Sequence, residues 1–385
     1  MKPILIIAGE HSGDNLGAGL MKALLENSQE IEFFGIGGEQ MKALGLESLA
    51  NMEELTVIGF VAAALKYRKL KQIAKNIVKL TLSKNCQYVI LVDYPGFNLA
   101  LAEMLKKANP SIKIIFYVSP QIWAWKYKRI FKIKKLVDLM LLLFPFEKEI
   151  YDKHEIPNVF VGHPIVVEMP KRLTQGREIF TDLQSRVICL MPGSRSGEIR
   201  RLLVPILETA VLLTQHYTSK NQKLEFLLPG ISQKEEAHIL QQIEIYTSKY
   251  PNLKIHYHPN NSAKCIEKSE AVIVASGTAT LEVAYLEKPM VIIYKTSWLT
   301  AFLARKFFLL IPYVGLVNVL SQKFICKELL QEECTPKNIF EETLKLLEDF
   351  SYREEMIKNL RSLKQSLGCE DPSYKASQAI LKLIS

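Results

Sequence analysis

The chain has 385 residues, with 49 Lys and Arg against 40 Asp and Glu, a formal net charge of +9. Hydrophobic residues make up 48% and charged ones 23%, the balance of a folded globular protein. That excludes a largely disordered chain, a collagen-like polymer and a small disulfide-stapled scaffold. At about 100–200 residues per domain, the length predicts two domains, each able to close its own core.

The elements follow in chain order as short apolar runs alternating with longer helical patterns. The first series of strands is expected over residues 4–8, 32–36, 88–92, 113–118, 139–144 and 159–161. A second series is expected over 187–191, 225–228, 254–257, 271–275 and 290–294. Runs rich in Ile, Val, Leu and Phe without polar alternation are the mark of strands buried on both faces. Strands alternating with helices imply right-handed βαβ units and parallel sheets. The polar stretch 170–185, with Pro and Gly, separates the two series. The reading is therefore two Rossmann-like, doubly wound α/β domains facing each other across a cleft. They are expected over residues 1–168 and 169–370. The segment 371–385 is an amphipathic helix that either crosses back to the first domain or packs on a second subunit, which leaves a homodimer open.

Six scattered cysteines form no C-x-x-C pair and read as reduced, intracellular thiols. The N-terminal apolar run breaks into Gly and charge too soon for a signal peptide. The longest uncharged stretch, residues 307–322, has 16 residues and contains Pro312, against about 20 apolar residues for a spanning helix. A soluble or peripheral protein is expected.

Ligands of open α/β sheets bind outside the carboxyl ends of the strands, so the turns after the strands carry the candidates. The first, GEHSGDNLG over residues 9–17, offers Ser12, Gly13 and Asp14 to a ligand. Its spacing is neither G-x-G-x-x-G nor a P-loop. After the strand ending at Val92 comes DYPGFN, which places Asp93 where a general base is needed; a helix cap is the alternative. In the second series, PGSRSGE supplies Gly193, Ser194 and Arg195, and ASGTATLE supplies Ser276, Gly277, Thr278 and Glu282. Glycine, hydroxyls and a guanidinium suit a diphosphate, and Glu282 suits ribose hydroxyls. His256 and His258 have no third ligand at recognisable spacing, so no metal is expected.

The charge is unevenly spread. Residues 1–55 hold nine acids and three bases, whereas 66–135 hold sixteen bases and two acids. Residues 66–84 read as an amphipathic helix with Arg68, Lys71 and Lys75 on its basic face. Six more bases follow Trp123 and Trp125, among them Lys126 and Arg129. Arg305 and Lys306 interrupt a strongly apolar stretch. Tryptophan and base together favour an anionic lipid surface over nucleic acid, for which no motif is present.

Taken together, AGEHSGD (8–14), DYPGFN (93–98), YVSPQIWAWKYKR (117–129), FPFE (144–147), PGSR (192–195), ASGTATLE (275–282) and KELLQEEC (327–334) resemble the lipid-A-disaccharide synthase family over nearly the whole chain. Val167 departs from the Asp that many relatives carry. The resemblance implies a GT-B glycosyltransferase, cytoplasmic and peripheral to the inner face of the cytoplasmic membrane of a Gram-negative bacterium. It would condense UDP-2,3-diacylglucosamine with 2,3-diacylglucosamine 1-phosphate (lipid X) into a β(1→6) disaccharide, without a metal or other cofactor. It further implies Asp93 as the base and Asn318 as a nucleotide contact. The alternatives are a UDP-N-acetylglucosamine 2-epimerase and another GT-B transferase.

Overall fold

The computed structural model describes residues 2–28, 30–55, 62–123, 126–182, 184–230, 233–296 and 313–384, leaving aside the side chains of 62–67 and 233. The chain divides into two compact units, Met1–Pro164 with Leu367–Ser385, and Ile165–Ser366. The division falls ahead of the polar stretch 170–185, because a helix, α7 (Ile165–Gln175), runs through Pro170 and opens the second unit.

The first unit is a seven-stranded parallel sheet in the order β3-β2-β1-β4-β5-β6-β7. Its strands are β1 (Lys2–Ala8), β2 (Ile31–Ile36), β3 (Glu47–Ser48), β4 (Tyr88–Val92), β5 (Lys113–Tyr117), β6 (Leu139–Leu142) and β7 (Asn158–Phe160). Alternate residues of each strand enter different cores. Leu5, Ile7, Val89, Leu91, Ile114 and Phe116 join one apolar cluster, and Ile4, Ile6, Ile90, Val92, Ile115 and Tyr117 join the other. Burial on both faces explains why these runs carry no polar alternation. Truncating one such Leu or Ile to Ala costs about 2–5 kcal/mol.

Helix α1 (His11–Asn27) lies on the second face together with the C-terminal helix α15 (Pro372–Ile384), whose Ala376, Ile380 and Ile384 enter that core. The C-terminal helix thus packs on the first unit of its own chain. On the opposite face, helix α3 (Ala62–Ser83) sends Ala74 and Ile77 into the core and leaves Arg68, Lys71, Lys75 and Lys79 exposed. The amphipathic pattern is therefore that of a helix whose apolar stripe packs on its own domain. Only its basic face is open to a partner.

The second unit is a six-stranded parallel sheet in the order β10-β9-β8-β11-β12-β13. Its strands are β8 (Ser185–Met191), β9 (Lys223–Gly230), β10 (Lys254–Pro259), β11 (Ala271–Ala275), β12 (Met290–Tyr294) and β13 (Glu328–Leu330). Both sheets share one logic. The first strand of each is central, with its partners running outward in both directions. Strand order reverses between β1 and β4 in one unit and between β8 and β11 in the other, where outgoing connections diverge and open a crevice. Among the described residues no helix is long and apolar enough to cross a membrane.

Candidate active site

At the first switch point the turns after β1 and β4 meet. The Tyr94 ring lies so close to Gly9 that a Cβ there would stand 2.6 Å from it, which requires glycine. Asp93 and Tyr94 both take left-handed backbone angles, with φ of 48° and 46°, conformations rare outside glycine and concentrated at functional sites. Helix α4 (Pro95–Ala108) begins after them with Tyr94 as its N-cap, so Asp93 is not the helix cap. Its backbone is instead fixed by two bonds. Asp93 N–H donates to the Tyr117 carbonyl at 2.8 Å, and the buried Asn98 amide donates to the Asp93 carbonyl at 2.7 Å.

Burial raises the Asp93 carboxyl above the ordinary aspartate range, the Tyr94 N–H opposes this, and the nearby Glu10 charge adds to it. A raised carboxyl at a strand tip can accept a proton during reaction, since its conjugate acid is not prohibitively strong. Asp93 lines a cavity of about 230 Å³ together with Ser119, Gln121, Arg129, Phe144 and Glu147. These come from the segments that follow β4, β5 and β6, adjacent strands of the sheet, Arg129 and Glu147 from the helices that begin there. Val118 holds φ of 78° at the start of that wall, a strained value for a β-branched residue.

Several expectations change here. Asp14 is 1% exposed, and its carboxylate accepts from the N–H groups of Gly38, Gln40 and Met41 at 2.7, 3.1 and 3.2 Å. It anchors the start of α2 (Glu39–Ala43) and has no free face for a substrate. Ser12 is exposed in the first turn of α1, with Gly13 beside it buried. Trp123, expected at a lipid surface, donates its indole N–H to the Glu147 carboxylate at 3.2 Å, and its ring meets Phe146 edge-on at 5.4 Å. Arg129, likewise expected at lipid, lines the Asp93 cavity. Lys126 is exposed. Trp125, Arg305 and Lys306 lie outside the described residues.

The residue that sequence reasoning misses is Glu147. It is 2% exposed at the start of α6 (Pro145–Lys153), and burial pushes its carboxyl up to about 7, against bonds from Trp123 and Ser119 and from the Phe144 and Leu143 backbone. The FPFE motif is the only signal for it.

The second switch point has a different character. Gly193, with φ of 108°, turns the chain sharply after β8, and a Cβ there would lie 2.8 Å from Glu198 Oε2. Arg195 is the N-cap of α8 (Ser196–Ser219); its guanidinium is 84% exposed and 3.2 Å from Glu198. Ser194 beside it is also exposed. Beyond the neighbouring strand β11, Ser276 donates to the Val314 carbonyl at 3.2 Å, while a Cβ on Gly277 would meet nothing within 4 Å. Thr278 precedes α11 (Ala279–Tyr285), which carries Glu282.

Both oxygens of Glu282 face Arg172 of α7, at 2.9 and 3.1 Å, and Arg172 also donates to Ser262 at 2.6 Å. Each carboxylate oxygen has two acceptor positions, so Glu282 keeps capacity for a hydroxyl. Asn318 does not. It is fully buried, its amide donates to the Cys326 carbonyl and Glu328, and its oxygen accepts from Ile325 and Cys326. All four of its bonds hold the strand entry of β13, which corrects the expectation that it touches a nucleotide. Among the described residues no three His, Cys, Asp or Glu side chains gather as a metal site. His256 pairs with Glu225 at 3.0 Å.

Two doubly wound sheets in one chain, each with its turns gathered at a switch point, define the GT-B class of fold. Solved structures agree. A glycotransferase of kitacinnamycin matches with TM-score 0.66 at 12% identity, covering 99% of this chain and 98% of that one. A putative UDP-N-acetylglucosamine 2-epimerase from Listeria monocytogenes matches with TM-score 0.59 at 13% identity, covering 100% and 96%. At such identities the likeness is one of fold alone.

Sequence carries the family. The family described as lipid-A-disaccharide synthetase matches residues 4–382. A lipid-A-disaccharide synthase from Colwellia psychrerythraea is 38% identical over 99% of this chain and 94% of its own. Those from Vibrio parahaemolyticus and Coxiella burnetii are 38% and 35% identical over 98% and 100% of this chain, and 97% and 99% of theirs. The chain belongs to the lipid-A-disaccharide synthase family, and is a glycosyltransferase of lipid A disaccharide synthesis.

Proposed function

We propose that this chain transfers a 2,3-diacylglucosamine unit from its UDP derivative to the 6-hydroxyl of 2,3-diacylglucosamine 1-phosphate, inverting the anomeric carbon. The observation that carries the reading is Asp93, a carboxyl raised by burial and held in a strained turn beside a cavity. As the acceptor oxygen bonds to the anomeric carbon, its proton passes to Asp93. The bond from that carbon to the diphosphate oxygen breaks, and its electron pair leaves with UDP.

In the second unit, Arg195 and the turn of Gly193 and Ser194 would take the growing diphosphate charge. Ser276, Gly277 and Thr278 would approach the nucleotide, and Glu282, oriented by Arg172, would bind the ribose. A guanidinium in this role makes a metal or other cofactor unnecessary. The exposed basic face of α3 would hold the enzyme peripherally on the anionic inner face of the cytoplasmic membrane, each base adding roughly 1 kcal/mol near such a surface. The test is an assay of the purified protein with both acylated substrates in detergent and EDTA. A β-linked disaccharide 1-phosphate and stoichiometric UDP are expected; a free epimerised sugar, an α-linked product or a requirement for added metal would contradict the reading.

A further inference from the structure

We propose that Glu147 is a positioning residue of the Asp93 cavity, its carboxyl fixing the wall formed by residues 119–123, against which the acceptor sugar is held. The proposal deepens the proposed function and rests on it.

The wall has little regular structure of its own. It follows β5 through Val118, whose φ of 78° the chain would not adopt unaided, and continues through Pro120 to Trp123. Its outer end is tied by the indole N–H of Trp123, which donates to Glu147 Oε1 at 3.2 Å. The second oxygen of Glu147 accepts from the Phe144 backbone at 3.3 Å, linking the wall to the turn after β6. Ser119, at the inner end, is held by the hydroxyl of Tyr151 at 2.8 Å, one helical turn beyond Glu147.

One buried carboxyl thus braces both the wall and its neighbouring turn, and both border the cavity that Asp93 faces. Burying such a group is costly, and packing alone would favour an apolar residue at this position. The charged and titratable groups around it are Asp93 and Arg129 across the cavity and Tyr151 on its own helix; His163 stacks on Phe144 at 5.2 Å. The carboxylate form offers acceptors to both N–H groups, whereas protonation turns one oxygen into a donor and loosens the brace.

Glu147→Gln and Trp123→Phe test this, the second removing only the donor and keeping an aromatic ring against Phe146. Each is expected to lower kcat and raise KM for the acceptor by about tenfold, as loss of a charge-assisted bond does, with donor KM unchanged. Glu147→Gln should also abolish a kinetic limb near pH 7, the range to which burial pushes this carboxyl. Combining both substitutions should add nothing to either alone.

An activity-independent readout comes from protein carrying Trp125→Phe and Trp298→Phe. Its remaining Trp123 fluorescence should titrate near neutral pH, and that transition should vanish in Glu147→Gln. Unchanged acceptor KM and kcat in Trp123→Phe, or additive effects of the pair, would overturn the proposal. Activity retained in Asp93→Asn would instead remove the base assignment, leaving the Trp123 titration as a separate test of Glu147.

Discussion

At the first switch point the chain partly buries a carboxyl on one of two successive left-handed residues, whereas at the second it leaves a guanidinium standing in solvent. Asp93 is held by its own backbone bonds and raised by burial. Arg195 is 84% exposed and, among the described residues, pairs with Glu198 of its own helix turn. On the proposed reading, the same strand order serves two chemistries. A base gains from desolvation, which brings its proton affinity toward that of its task. A diphosphate ligand would bring its own charge, and an exposed guanidinium can meet it.

The contrast can be broken most sharply through Asp93. Asp93→Asn keeps the shape and the backbone bonds but removes the proton acceptor, so kcat should fall about a thousandfold. Rate against pH in the native enzyme should rise as Asp93 ionises, with a midpoint above the ordinary aspartate range because burial raises it. A steady-state assay across pH checks both.

Next in size is Asn318, assigned here to structure. Asn318→Ala removes one of the donors to the Glu328 carboxylate and leaves three backbone groups of Ile325 and Cys326 without their Asn318 partner, and should cost about 3 kcal/mol in denaturant unfolding. A variant of native stability with weakened UDP binding would return Asn318 to the nucleotide.

Glu147 gives a comparable effect that depends on pH. Burial raises its carboxyl from 4.5 to about 7 in the folded state, so the fold is most stable with the acid protonated, below pH 4.5, and the ionised form that braces the wall is held at a cost that is complete above about pH 7. The native protein should therefore lose up to about 3 kcal/mol relative to Glu147→Gln across that window, read by thermal or urea unfolding at each pH. Smallest is Arg195→Ala, expected to raise donor KM by roughly thirtyfold while leaving acceptor KM and fold stability alone.

Much of this architecture is legible before any coordinates. Strands such as β1, β4, β8 and β11 are uninterrupted apolar runs because both their faces are buried, and they mark the ends from which the turns emerge. β3 and β13 escape such a reading. One has two exposed residues, and the other begins with Glu328, whose carboxylate serves a buried network.

The same limit applies at the site. Asp14 and Asn318 sit in segments that look ready for a ligand, and nothing in those motifs says that their polar atoms are occupied, by the Gly38–Met41 backbone in one case and by Ile325, Cys326 and Glu328 in the other. Arg129 lies in a run of bases and Trp123 beside another tryptophan, a composition that suggests a lipid surface; only the fold turns them toward Asp93 and Glu147. Glu147 stays hidden because a glutamate at a helix start ordinarily reads as a dipole partner.

The division of labour between the two units is tested most directly by titrating UDP calorimetrically into the native protein, Asp93→Asn and Arg195→Ala side by side. Asp93→Asn should bind UDP as the native protein does while turning over hardly at all, and Arg195→Ala should bind it at least about tenfold more weakly. UDP affinity lost with Asp93, or intact without Arg195, would contradict the account.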